Sequence, residues 1–299
     1  MAPLPQLSIG LRNFAPSDPG SWEPLLRAAV AADRAGIDRV VVVDHVVFGD
    51  DLDDYGRPDL GGVAGGRQPT GPDGHWLEPL TVLSVIAGRT ARVRLATGIL
   101  IAALRRPVVL AKTLATLDVL SAGRVDVGVG VGWQRAEYAA ADLPFEDRGR
   151  LLDESLELCR RLWGPDPVQL EGVGTVHQMP SPLQPGGVPI WISGRSTNRR
   201  VQQRVARFAS GWIPWGDDAA DPAAGIARLR RAMEEAGREG DRLQVTGTLP
   251  KDPDDLSRLV EAGVTDFRLR GGLPEDPGAL EEHLAQVVEA FRAAVADRT

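Results

Sequence analysis

Short apolar runs alternate with longer stretches whose apolar residues recur every three or four positions, almost to the end of the 299 residues. Consecutive valines in "IDRVVVVDH" (37–45) leave no polar face, which predicts a strand covered on both sides. In "SWEPLLRAAVAADRAG" (21–36) the apolar spacing is helical. Ser21 is placed to cap that helix, Pro24 lies in its first turn and Gly36 stops it. The same reading predicts further strands over 6–13, 92–100, 123–130, 188–193, 211–215, 242–249 and 264–272. It predicts further helices over 77–90, 107–121, 148–163, 197–209, 219–238, 252–263 and 276–296. Repeated strand–helix units imply a parallel sheet, and eight of them favour a closed (β/α)8 barrel, an α/β fold in one domain over 1–299. Two segments interrupt the alternation. Residues 46–75, rich in Gly, Asp and Pro, form a long aperiodic loop of the kind that usually serves an active site. Residues 164–187 are a Pro- and Gly-rich insertion before the fifth strand.

Charge and composition narrow the function classes. Lys and Arg total 34 against 41 Asp and Glu, a formal charge of −7. That balance argues against nonspecific nucleic-acid binding, which needs a basic surface. The single cysteine, Cys159, can form no intrachain disulfide and no cysteine-based zinc site, and reads as a buried core thiol. No basic segment followed by an apolar run opens the chain, and the apolar stretch near 93–104 is broken by Arg94. The expectation is a cytoplasmic protein without membrane contact. Asp50, Asp51, Asp53 and Asp54 miss the calcium-loop spacing, and His75, His177 and His283 are scattered, so no metal site is expected.

In a (β/α)8 barrel the active site gathers at the C-terminal ends of the strands. That rule selects Asp44 and His45 after strand 2. Either they form a structural pair closing the barrel top, or His45 serves as acid or base. After strand 3 it selects Thr97, Gly98 and Ile99, where a glycine inside a strand pattern marks a bulge or a close backbone approach. After strand 4 come Gly128, Gly130, Gly132 and Trp133. Their G-x-G-x-G spacing is not the dinucleotide fingerprint. Two readings stay open: small residues fit a crowded barrel interior, or the backbone borders a flat or anionic ligand with Trp133 as a wall. After strand 5, Ser193, Gly194, Arg195, Ser196 and Thr197 stand at a helix start. They suit a phosphate, or Ser196 or Thr197 simply caps the helix.

Several blocks carry a family resemblance: "DH" at 44–45, "HWLEPLTVLSVIAGRTARVRLATGIL", "RRPVVLAKTLATLDVLSAGRVDVGVGVGWQRAEY", "PIWISGRS" and "ASGWIPW". The chain resembles the luciferase-like monooxygenase superfamily and, within it, the oxidoreductases that use the deazaflavin coenzyme F420. The resemblance runs to about residue 215. It implies a coenzyme in the barrel mouth, its ring against a bulge at Gly98–Ile99 that often holds a non-proline cis peptide. It implies a phosphate gripped by backbone at Val131, Gly132 and Trp133, and at Ser193, Gly194, Arg195 and Ser196. His45 matches a histidine beside the reacting ring, with Asp44 setting its orientation or charge. The loop over 48–75 would close over the substrate. Two positions depart from the pattern. Trp133 stands where related sugar-phosphate dehydrogenases carry a glutamate, which favours a more apolar substrate, and Ser210 stands where relatives carry aspartate. The implied function is hydride transfer between F420 and a small organic substrate, in a homodimer. The alternatives are an FMN-dependent two-component monooxygenase and a non-catalytic coenzyme-binding protein.

Overall fold

The valines of the second strand are fully enclosed, with Val40 and Val42 at 0% exposure. Burying each such side chain contributes about 1.5–3 kcal/mol, so a run of them fixes a central strand rather than an edge. In the computed structural model, which describes residues 4–271 and 273–296, this strand belongs to a closed eight-stranded barrel. Its strands are β1 (Gln6–Gly10), β2 (Arg39–Val42), β3 (Arg94–Thr97), β4 (Val125–Val129), β5 (Ile190–Gly194), β6 (Gly211–Pro214), β7 (Gln244–Thr248) and β8 (Asp266–Leu269). Each pairs in parallel with its neighbours in sequence, and β8 returns to β1 with Leu7 opposite Phe267. The fold is the (β/α)8 barrel the alternation predicts.

The outer helices are α1 (Glu23–Ala35), α2 (Pro79–Arg89), α3 (Pro107–Leu120), α4 (Arg148–Trp163), α5 (Arg199–Phe208), α6 (Ala223–Glu235), α7 (Pro253–Ala262) and α8 (Pro277–Ala296). A short additional helix covers Arg135–Ala140. Helix α1 starts one residue later than the spacing suggests: Trp22 occupies the cap without a side-chain bond, while the Ser21 hydroxyl accepts from Glu23 N at 3.2 Å. Gly36 ends it at φ +88°, a conformation that favours glycine. Helix α6 covers Ala223–Glu235 rather than 219–238: Gly216–Ala219 forms a separate 3-10 turn, Pro222 stands at the N-cap and Ala236 at the C-cap. The insertion over 164–187 carries a small hairpin, Val168–Leu170 against Gly174–Val176. Among the described residues, no helix is long and apolar enough to cross a membrane.

Charged residues close the N-terminal end of the barrel. Asp126 accepts from Arg39 Nε at 3.0 Å and from Arg94 Nε at 2.6 Å, and Arg39 also bonds Asp266. Burial alone would raise the Asp126 carboxyl, but the two arginines outweigh it and hold it below the usual carboxylate range. One layer higher, the Arg268 side chain makes no hydrogen bond or ion pair among the described residues. Burial pulls its guanidinium down to about 10, with repulsion from Arg39 and Arg270 added. With that end plugged, the accessible space lies at the opposite, C-terminal end.

Candidate active site

Strand β3 stops at Thr97 rather than running on to Leu100, because Gly98 and Ile99 form a bulge with a cis peptide bond between them. The bulge is stitched to both neighbouring strands. Gly98 N donates to Val42 O at 2.8 Å, Leu100 N to Gly128 O at 2.7 Å, and Gly130 N to Leu100 O at 3.1 Å. The Thr97 hydroxyl donates to Gly128 O at 2.7 Å. This close approach explains the glycine repeat. A Cβ at Gly128 would lie 2.1 Å from Thr97 O and 2.7 Å from Ile213 Cδ1, and one at Gly130 would lie 2.9 Å from Ile99 Cδ1. The room made by the missing side chains is therefore filled by the protein's own bulge. Of the two readings of the repeat, the crowded interior applies at Gly128 and Gly130. Gly132 adds a conformational reason, φ +68°, and its Cβ position faces Ile101 at 3.2 Å.

Above the bulge lies a cavity of about 430 Å3 at the barrel mouth. Its floor is Val43, Gly98, Ile99, Ile101 and Ile213, and one wall is Gly130, Val131, Gly132 and Trp133. Ser193 and Gly194 at the end of β5, Arg195 and Asn198 before α5, and Arg204 within α5 also border it. The long loop covers it with Tyr55, Pro58, Gly61, Gln68 and Pro69, and Phe14, Trp76 and Trp215 complete the aromatic side. The loop is tied down across the mouth: Trp215 Nε1 donates to Gly61 O at 3.1 Å and Trp76 Nε1 to Thr70 Oγ1 at 3.0 Å. Burial raises the Tyr55 phenol.

His45 lies at the edge of this cavity in an aromatic nest. Its ring is 4.4 Å from Phe48, and it meets Trp76 at 4.8 Å and Trp133 at 5.8 Å edge-on. Its Nδ1 is 3.1 Å from Glu137 Oε2, a carboxylate whose side chain is fully buried. The two atoms are close but not aligned as a hydrogen bond, and neither has another partner. Glu137 Oε1 accepts from Val46 N at 2.8 Å, and Gln134 Oε1 accepts from Gly49 N at 3.0 Å. The segment after β4 thus clamps the segment that carries His45. The neighbouring Tyr138 hydroxyl donates to Val131 O at 2.6 Å, and burial pushes its phenol up.

The remaining predicted residues divide. Asp44 lines the cavity, but its carboxylate takes Ile101 N at 2.8 Å and a two-pronged grip from Arg105 at 2.6 and 3.0 Å. It makes no hydrogen bond to His45, so the acidic neighbour of that histidine is Glu137 rather than Asp44. Thr97 is buried beneath the cavity with its hydroxyl occupied by Gly128. Ser196 is fully buried and does not border the cavity. Asp218 takes its backbone N–H at 2.6 Å and its hydroxyl at 2.9 Å, and Arg228 also bonds that hydroxyl, leaving nothing free for a phosphate. Asn198, not Ser196 or Thr197, caps α5, accepting from Arg200 N at 2.9 Å. Gly194, at φ +148°, has Val201 Cγ2 2.6 Å from its Cβ position. His75 and His177 are exposed and outside the cavity. Sequence reasoning missed Glu137, Tyr55, Gln68, Trp76 and Trp215. The signals were coarse: Tyr55 and Gln68 lie in the aperiodic loop, and Trp76, Trp215 and Glu137 in or beside the blocks that carry the resemblance.

The sequence profile of the luciferase-like monooxygenases matches residues 8–294. An uncharacterised protein of Mycobacterium tuberculosis is 35% identical over 217 residues, 70% of this chain and 75% of that one. An F420-dependent glucose-6-phosphate dehydrogenase of Mycolicibacterium gilvum is 27% identical over 278 residues, 88% of this chain and 70% of that one. Among solved structures, an F420-dependent secondary alcohol dehydrogenase superposes with a TM-score of 0.70 at 17% identity, covering 97% of this chain and 99% of that one. A long-chain alkane monooxygenase superposes at 0.74 with 14% identity, covering 98% and 92%. These last two are likenesses of fold. The chain belongs to the luciferase-like monooxygenase family.

Proposed function

We propose that the protein is an oxidoreductase that moves a hydride between coenzyme F420 and a small organic substrate. The observation that carries the reading is the composition of the cavity. An apolar floor over Gly98–Ile99 suits a flat ring, and it adjoins a polar end at Ser193, Gly194, Arg195 and Asn198. Arg195 is the one cavity-lining cation without a carboxylate partner among the described residues, since Arg204 is paired with Asp153 at 2.6 Å. A free guanidinium beside backbone N–H groups at a helix start suits a phosphate. The residues present therefore fit a flat coenzyme with an anionic tail. Gly130, Val131, Gly132 and Trp133 would border it through backbone, with Ser193, Gly194 and Arg195 at the tail. The F420-dependent dehydrogenase among the curated relatives favours a deazaflavin over FMN.

When bound, the deazaflavin supplies the carbon that carries the hydride. The chain's own residues do the rest. The floor would support the ring, and the loop over 46–75 would exclude water. His45 holds the balancing proton at Nε2, the nitrogen away from Glu137, and delivers or accepts it as substrate and product interconvert. Glu137 Oε2, 3.1 Å from Nδ1, favours a proton on that nitrogen and steadies the imidazolium electrostatically. Asp44, held by Arg105 and Ile101 N, braces the segment between β2 and the bulge.

The test is His45→Ala, assayed with reduced F420 and a panel of carbonyl and unsaturated acceptors. General acid–base catalysis contributes roughly 10²–10⁴-fold. Turnover is expected to fall by that order while F420 affinity stays within a few-fold. Unchanged turnover removes His45 from the mechanism, and binding without turnover for any acceptor supports a coenzyme-binding protein instead.

A further inference from the structure

Charge is distributed unevenly around the cavity. Besides His45, the ionisable side chains that line it with a formal charge are Asp44, Arg195 and Arg204. Asp44 is neutralised by Arg105, Arg204 by Asp153, and Arg195 stands at the α5 end. Everything the long loop and its aromatic neighbours contribute is uncharged: Tyr55, Gln68, Trp76, Trp133 and Trp215 are its largest members. An anion enclosed there would lose its hydration, and the nearest cation it could meet, an imidazolium at His45, already faces the Glu137 carboxylate at 3.1 Å. Flat aromatic walls, by contrast, reward an unsaturated ring.

Two donors on this side lack partners. Trp133 is 5% exposed, and its Nε1 is buried with no acceptor. Gln68 Nε2 is buried in the same condition. Neither nitrogen reaches water with the loop in this position, so each forgoes a hydrogen bond that buried donors normally make. The indole of Trp133 packs between His45 and Tyr55, whose rings are 5.8 and 5.4 Å away and which also line the cavity.

We infer that the loop side of the cavity binds an uncharged, planar, unsaturated compound carrying an acceptor oxygen, such as a ring carbonyl, to which Trp133 Nε1 and Gln68 Nε2 donate as the loop closes. Sugar phosphates and carboxylates are excluded from this side. The inference rests on the proposed function only in calling the compound a substrate, because the binding site itself is defined without the coenzyme.

The experiment is calorimetric titration of the full chain with three probes of similar shape: coumarin, naphthalene and 2-naphthoate. It is run with and without F420. One hydrogen bond is worth about a tenfold change in Kd. Coumarin is expected to bind about tenfold more tightly than naphthalene, and 2-naphthoate more weakly than either. Trp133→Phe, which keeps the ring packing, and Gln68→Leu should each bring coumarin towards naphthalene and leave naphthalene unchanged. The proposal is overturned if 2-naphthoate matches coumarin, or if neither variant changes the coumarin-to-naphthalene ratio. Should Trp133→Phe fail to fold, Gln68→Leu on the covering loop carries the same test. Loss of F420 binding with the probe preference intact would sink the coenzyme reading and leave this inference standing.

Discussion

Replacing Glu137 by glutamine removes a charge from the interior and little else. Its Oε2 stands 3.1 Å from His45 Nδ1, while its Oε1 holds Val46 N at 2.8 Å. Glutamine keeps an acceptor for Val46 and loses the charge facing the imidazole. At that separation two full charges attract by about 5 kcal/mol for an effective dielectric of about 20. Desolvation of the pair offsets much of this, leaving roughly 1.5–3 kcal/mol, the lower part of the range that close buried charge pairs show. Applied to a step in which the imidazole is charged, that is about 10- to 150-fold in rate. The assay is single-turnover oxidation of reduced F420 by an acceptor, followed by the change in deazaflavin fluorescence. Glu137→Gln should lower the rate by that factor, with F420 affinity within threefold and thermal stability nearly unchanged. Glu137→Ala should lower rate and stability together, because Val46 N–H then loses its acceptor, at a cost of about 1–3 kcal/mol. A Glu137→Gln rate within threefold of the parent would refute the positioning role.

Three further outcomes follow from the packing. Asp126→Asn should destabilise the barrel by about 3 kcal/mol in denaturant titration, because it removes the buried carboxylate shared by two arginines, leaving Arg94 without a charged partner and Arg39 with Asp266 alone. Since the folded Asp126 carboxyl is held low, its contribution is present above the unfolded value of about 4 and is lost as pH falls through the folded one. The acid limb of parent stability should therefore flatten in the variant, and an unchanged limb contradicts the assignment. Gly128→Ala forces a methyl to within 2.1 Å of Thr97 O and should cost about 3 kcal/mol or more, whereas Gly10→Ala, with nothing within 4 Å, should change the melting temperature little. Burial pushes the Cys159 thiol up to about 12, so the native protein should resist a disulfide reagent at pH near 8 and react fully once unfolded.

The barrel was legible because its signals are local. A valine run in 40–43 has one sensible place, and Pro107 and Gly36 punctuate helices wherever they stand. The positions of His45, Ile99 and Trp133 were legible through the strand-end rule, which turns strand order into a location. Long-range contacts were not. Nothing near Ser196 announces that Asp218, from the far side of β6, takes both its donors. Nothing near Asp44 announces Arg105, and nothing near His45 announces that Glu137 lies beside it. The glycine repeat was half legible. Its demand for small residues could be read, but whether a ligand or the protein fills the room depended on the bulge in the adjacent strand.

The central claim is that the barrel mouth holds a deazaflavin. It is tested most directly by titrating the purified protein with F420 and, separately, with FMN, and following coenzyme fluorescence. The account predicts saturable micromolar binding of F420, with FMN much weaker, and loss of F420 affinity in Arg195→Ala. Tight FMN binding without affinity for F420 would contradict it and turn the search towards oxygen-dependent chemistry.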